Sequence, residues 1–196
     1  MVNYGFSRGI LGAVGMLTMF CLVVGACRGT GSEGGSTGTA ASARPASTGL
    51  DEAGQMHVSE GDRCPVCAMD VSEHARFASA IELRDGRTFY FCGTGCMIRS
   101  WLHPEVFLGV PRASLQRAVV KEYFNGEHVD ALKAVFVAGS DVVGPMGPAL
   151  VPLKTQADVD TFMARHKGKT TFRVSELDDG RWEAITGKRA IPEKRR

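Results

Sequence analysis

Arg76-Phe77-Ala78-Ser79-Ala80-Ile81-Glu82-Leu83-Arg84-Asp85-Gly86-Arg87-Thr88-Phe89-Tyr90-Phe91 decides the fold class. Its first half alternates imperfectly between apolar and polar residues, and its second half is rich in aromatic and β-branched residues. Asp85-Gly86 between them is the pair that supplies positive φ in a tight turn, so the stretch predicts a β-hairpin. Gly93-Thr94-Gly95 then interrupts the strand. Residues 96–102 carry apolar side chains at helical spacing and stop before Pro104, a residue that turns its predecessor away from the helical region. The first predicted unit, over residues 58–112, is therefore ββα.

Working outward toward the C-terminus, the theme recurs over residues 113–180. Residues 115–124 read as a strand, Asn125-Gly126 as a turn, and residues 134–138 as the partner of that strand. After Gly144-Pro145-Met146-Gly147-Pro148 comes a short apolar run. A helix is expected from Thr155-Gln156-Ala157-Asp158, a capping-box-like start, with Val159, Phe162, Met163 and His166 on one face and Gly168 at its C-terminal cap. Residues 169–174 form a final strand. The fold class is α+β, with two small ββαβ-like units packed together, and residues 181–196 form a basic tail.

Toward the N-terminus lies a different kind of sequence. One cation, Arg8, precedes an apolar run over residues 10–24, and the run ends at Leu22-Val23-Val24-Gly25-Ala26-Cys27. That pattern has the shape of a secretion signal and is short for a membrane span. Its small residues end on a cysteine, as in the lipobox of bacterial lipoproteins. Residues 1–26 are therefore expected to be a lipoprotein signal peptide, and Cys27 the lipidated first residue of an extracytoplasmic, membrane-anchored chain. Residues 27–57, dominated by Gly, Ser, Thr and Ala, are expected to be a flexible tether, because they offer too little apolar surface to offset ordering entropy. The formal charge of the whole chain is +2. With its cations scattered except at Lys194-Arg195-Arg196, the chain lacks the concentrated basic face that nucleic acid requires.

Of six cysteines, Cys21 leaves with the signal and Cys27 is consumed by the anchor, so Cys64, Cys67, Cys92 and Cys96 belong to the body. Cys64-Pro65-Val66-Cys67 places two thiols on one turn, as metal knuckles do. Cys92 ends a strand and Cys96 opens a helix, where amides and the positive helix end favour thiolate. If the hairpin folds back, the four sulfurs meet. In an oxidising compartment the ordinary alternative is two disulfides. Four thiolates also suit structural zinc, and CxxC pairs serve thiol–disulfide oxidoreductases, although these place the motif at a helix start inside a βαβ unit. A third reading is Cu(I), which selects thiolate and thioether over oxygen. Met69 follows Cys67 by two residues, Met97 fits a core position, and Met146 is displayed in a Gly/Pro loop. His166 is a further candidate ligand, with interaction at its helix end as the competing role.

Several of these segments, taken in order, resemble the NosL family, the nitrous oxide reductase accessory lipoproteins. They are Cys64-Pro65-Val66-Cys67-Ala68-Met69, the run Phe89-Tyr90-Phe91-Cys92-Gly93-Thr94, the Gly144-Pro145-Met146-Gly147-Pro148 segment and Ala164-Arg165-His166-Lys167-Gly168. The resemblance implies a fold akin to organomercurial lyase and a periplasmic Cu(I) chaperone that is not an enzyme. Its implied partners are nitrous oxide reductase, whose copper-sulfide centre it helps to build, and a membrane transporter. The family's CxxCGM motif maps onto Cys64, Cys67 and Met69, and its MGP motif onto Met146. Ala68 stands where glycine is usual. Cys96 is not a usual family residue; with Cys92 and residues 101–108 it resembles the small YHS and TRASH-like metal-binding domains. The enzyme alternative is a thiol oxidoreductase or an organomercurial-cleaving protein using Cys92 and Cys96.

Overall fold

The structure, a computed structural model, describes residues 43–192. The expected signal peptide, Cys27, residues 28–42 of the expected tether and Lys194-Arg195-Arg196 lie outside the described residues.

The Asp-Gly hairpin forms as predicted. Strands β1 (Ser79–Leu83) and β2 (Thr88–Phe91) pair antiparallel with Ile81 opposite Phe89, and Gly86 takes φ 84° at the turn. Helix α1 (Thr94–Leu102) follows, burying Met97 and Ile98 completely, and the short α2 (Pro104–Phe107) starts on its proline. Strand β3 (Leu115–Lys121) pairs with β1, and β4 (His128–Asp130) pairs with β3, giving an antiparallel sheet in the order β2-β1-β3-β4.

The assignment of strands to units thereby differs from the sequence expectation. The Asn125-Gly126 turn returns at once into β4, with the Gly126 amide donating to the Glu122 carbonyl and the Glu122 amide to Glu127. β3 then has a neighbour on each edge and no room for residues 134–138. Strand β5 (Val135–Ala138) pairs instead with β8 (Val151–Leu153) and β9 (Thr170–Phe172) in a second antiparallel sheet, order β8-β5-β9. The first sheet therefore extends to Asp130, past the boundary expected at residue 112. Between β5 and β8 a two-residue turn joins β6 (Val143–Gly144) to β7 (Gly147–Pro148), so the Gly/Pro segment is a miniature hairpin with Pro145 and Met146 at its tip.

Helix α3 (Gln156–His166) carries the predicted capping box: the Asp158 amide donates to Thr155 Oγ1 and the Thr155 amide to the Asp158 carboxylate. Alternation in β5 divides its side chains. Val137 faces α3 with Val151, Leu153, Val159 and Phe162, whereas Phe136 stacks on Phe172 and joins the core of the first sheet. Gly168 stands just past the Lys167 cap, where the sequence put it, but the left-handed residue is Lys167, at φ 54°, and not the glycine. Gly168 is needed for space: a Cβ there would lie 2.3 Å from Val137 Cγ1 and 2.5 Å from Met163 Sδ.

Two segments expected to lie outside the folded units, a tether and a basic tail, join the fold where they are described. Residues 43–57, assigned to the tether, cover the outer edge of β2. The Ala46 amide donates to the Thr88 carbonyl at 2.7 Å, the His57 amide to the Tyr90 hydroxyl, and that hydroxyl to the Gly49 carbonyl. An edge strand whose four residues are all buried needs such a cover, and isolated apolar residues such as Ala46, Leu50 and Met56 suffice to seat it. The expected basic tail begins inside α4 (Asp179–Thr186). Asp178 caps this helix by accepting from the Arg181 amide, and Trp182, 4% exposed, is its anchor in the core.

Candidate metal centre

The knuckle is a tight loop closed by a bridge between Arg63 and Asp70. Inside it the Cys64 amide donates to the Met69 carbonyl and the Ala68 amide to the Cys64 carbonyl, a doubly pinned turn that requires a left-handed residue. Ala68 supplies it at φ 61°. This is the position where the family's glycine is usual, and a side chain there costs about 1–2 kcal/mol.

Cys92 directly follows β2, and Cys96 lies in the first turn of α1, whose Gly93 N-cap is extended. The hairpin carries these two thiols back to the knuckle. All four cysteine sulfurs lie within 4.8 Å of one another, with Cys64, Cys92 and Cys96 buried and Cys67 half-buried. Cys67 Sγ is 3.4 Å from Cys92 Sγ, and Cys92 Sγ is 3.9 Å from Cys96 Sγ. No disulfide joins any of the four. A tetrahedral ion with metal–sulfur bonds near 2.3 Å sets its sulfurs about 3.8 Å apart, so the cluster has the dimensions of a thiolate cage before any ion enters.

Charge in the cluster concentrates on the knuckle. Cys64 is driven well below the ordinary thiol range by hydrogen bonding with Cys67 first, then with Cys92 and Cys96, and with the Cys92 amide. Cys67 is also lowered: Cys64 acts against it, and Cys92 and Cys96 outweigh that opposition. Cys92 and Cys96 are pushed up, first by Cys64 and next by Cys67, because hydrogen bonding to those sulfurs favours the protonated thiol.

Met146 is 51% exposed at the tip of its hairpin. The hairpin rests on the turn that opens α1: a Cβ at Gly93 would lie 3.8 Å from Pro145 Cδ, and Thr94 Oγ1 donates to the Leu150 carbonyl at 2.6 Å. Cys96 and Met146 thus line one cavity. Gly93 and Thr94, read in the sequence only as a strand breaker, are what seat the hairpin and the residue after it against the start of α1. Met69 sits half-buried against the first core.

His166 is not brought to the sulfurs. Its Nδ1 lies 2.8 Å from an Asp141 oxygen, its Nε2 is 3.4 Å from the Tyr123 hydroxyl, and its ring stacks on Phe162 at 4.6 Å. Both ring nitrogens are engaged, so the imidazole closes the second sheet's helix rather than a metal site. The expected interaction with helix-end carbonyls is replaced by the Asp141 carboxylate.

Over 123 residues the chain is 28% identical to the copper-binding lipoprotein NosL of Stutzerimonas stutzeri, a match covering 61% of this chain and 63% of that protein. The chain thus spans less than two thirds of this curated relative. In fold it is similar to the crystal structure of the copper chaperone NosL from Shewanella denitrificans, with a TM-score of 0.55 and 18% identity, over 66% of this chain and 99% of that one. Residues 55–181, which include all four cysteines and the Met146 hairpin, match the NosL family, and the chain belongs to that family.

Proposed function

We propose that this protein is a Cu(I) chaperone that holds its cargo on the thiolates of Cys64, Cys67, Cys92 and Cys96 and releases it by ligand exchange, with no bond chemistry. The observation that carries this reading is the gathering of four unpaired thiols within 4.8 Å, one of them half-buried, beside a cavity wall that also displays the Met146 thioether. A soft donor set of sulfur alone suits Cu(I). Cys67 and Met146 are the accessible members, so an acceptor sulfur or imidazole can enter before the last buried thiolate lets go. Met69, two residues from Cys67, is the next candidate for an exchange ligand.

Membership of the NosL family and the names of its relatives support the finer reading: a chain anchored by lipid on Cys27 at the periplasmic face of a membrane, supplying copper for maturation of nitrous oxide reductase with a membrane transporter. In cells lacking this chain, nitrous oxide reductase is expected to accumulate with a depleted copper-sulfide centre. Full copper content in that strain would sink the assignment of the recipient.

The tetrahedral dimensions of the cluster favour one other occupant, Zn(II) held structurally. The purified full chain, reduced and anaerobic, separates the two. A chaperone retains Cu(I) against a competing Cu(I) chelator and stays folded without metal. Stoichiometric zinc that Cu(I) does not displace, with loss of fold on chelation, would overturn the proposal.

A further inference from the structure

The cavity shared by Cys96 and Met146 has a second chemistry besides its sulfur atoms. It lies between the β6–β7 hairpin, the start of α1 and α4, and its volume is about 370 Å³. That size falls in the range of small-molecule sites. Arg99, Lys169 and Lys188 line it and no carboxylate does. None of these three cations forms an ion pair among the described residues. Arg99 is held by its Nε, which donates to the Ala190 carbonyl at 2.6 Å, and by Phe107, over whose ring its guanidinium carbon sits at 4.9 Å. The Lys169 stem runs across Gly139, where an added Cβ would lie 2.8 Å from it. Arg99 is thus held in place, while Lys169 and Lys188 are exposed.

Three cations without an anion ask for a ligand carrying carboxylate oxygens. The sulfur atoms ask for a soft donor.

We propose that this cavity binds a low-molecular-weight thiol bearing carboxylates. The carboxylates meet the Arg99, Lys169 and Lys188 side of the cavity. The sulfur lies toward Cys96 and Met146, where it replaces one cluster thiolate on Cu(I), and its proton passes to the thiolate released. Only the sulfur end rests on the Cu(I) reading; the carboxylate end does not require metal.

Reduced glutathione and S-methylglutathione, titrated anaerobically into the full chain by calorimetry, test both ends. Metal-free protein is expected to bind the two alike. Cu(I)-loaded protein is expected to bind glutathione about tenfold tighter than the S-methyl form, with copper still on the protein after gel filtration. Lys169→Glu and Lys188→Glu are each expected to weaken both ligands about fivefold, with unchanged circular dichroism confirming the fold. The proposal is overturned if glutathione fails to saturate either form, if the charge reversals leave binding unchanged, if S-methylation makes no difference on the loaded protein, or if glutathione strips the copper. Failure of Cu(I) to bind at all overturns the proposed function and the sulfur end together, while the metal-free titration still decides the carboxylate end.

Discussion

Cys67 Sγ stands 3.4 Å from Cys92 Sγ across 25 residues of chain, which makes the knuckle and the strand end one site. Cys67→Ser and Cys92→Ser are each expected to lower Cu(I) affinity by about tenfold or more, equivalent to ~1.4 kcal/mol or more. Chelator competition measures this. An unchanged affinity for Cys92→Ser would confine the metal to the knuckle.

Ala68 holds a left-handed conformation at φ 61° that costs an L-residue about 1–2 kcal/mol. Ala68→Gly removes that strain but loosens the unfolded chain by ~0.4–1 kcal/mol, so the fold is expected to gain up to about 1.6 kcal/mol. Urea denaturation of the metal-free protein reads the shift. A loss of stability would show that the methyl group makes a contact worth more than the strain.

His166 is expected to separate stability from metal binding. His166→Ala removes the stack on Phe162 and the pair with Asp141, and aromatic pairs contribute about 0.5–1.5 kcal/mol beyond their buried area. A lower melting temperature with unchanged Cu(I) affinity is the outcome that matches its place in the fold. A fall in affinity at full stability would make it a ligand.

Burial pushes His128 below its ordinary value of 6.5, with Lys121 adding like-charge opposition. The unfolded chain then takes up the proton more readily than the folded one. Stability from this site is complete above the ordinary value and is lost as pH falls from there through the lowered folded value. His128→Gln is expected to flatten that decline in thermal melts between about pH 7 and 5. An identical pH profile for the variant would contradict it.

Local chemistry was the legible part of this fold. The Asp85-Gly86 turn, the strands beside it, α1 and the Thr155 capping box are each specified by residues adjacent in sequence, so the pattern alone found them. Long-range choices were not. Whether β3 pairs with residues 128–130 or 134–138 depends on what occupies its two edges, and the cover of β2 by residues 43–57 rests on single apolar residues with no periodicity. Trp182 was hidden for the same reason, one aromatic among charges whose role exists only where it meets Gly95 and the core. At the site, cysteine spacing showed which residues to group. The removal of His166 by Asp141 and Tyr123 follows from distances that spacing does not contain.

The hydrogen bond from the Ala46 amide to the Thr88 carbonyl has a mechanical side. Thr88 begins the strand that ends one residue before Cys92. Tension applied to the chain ahead of residue 43 is therefore borne first by the strand that leads directly into Cys92. A pull strong enough to peel that cover from β2 would slacken the sulfur cage from its Cys92 corner.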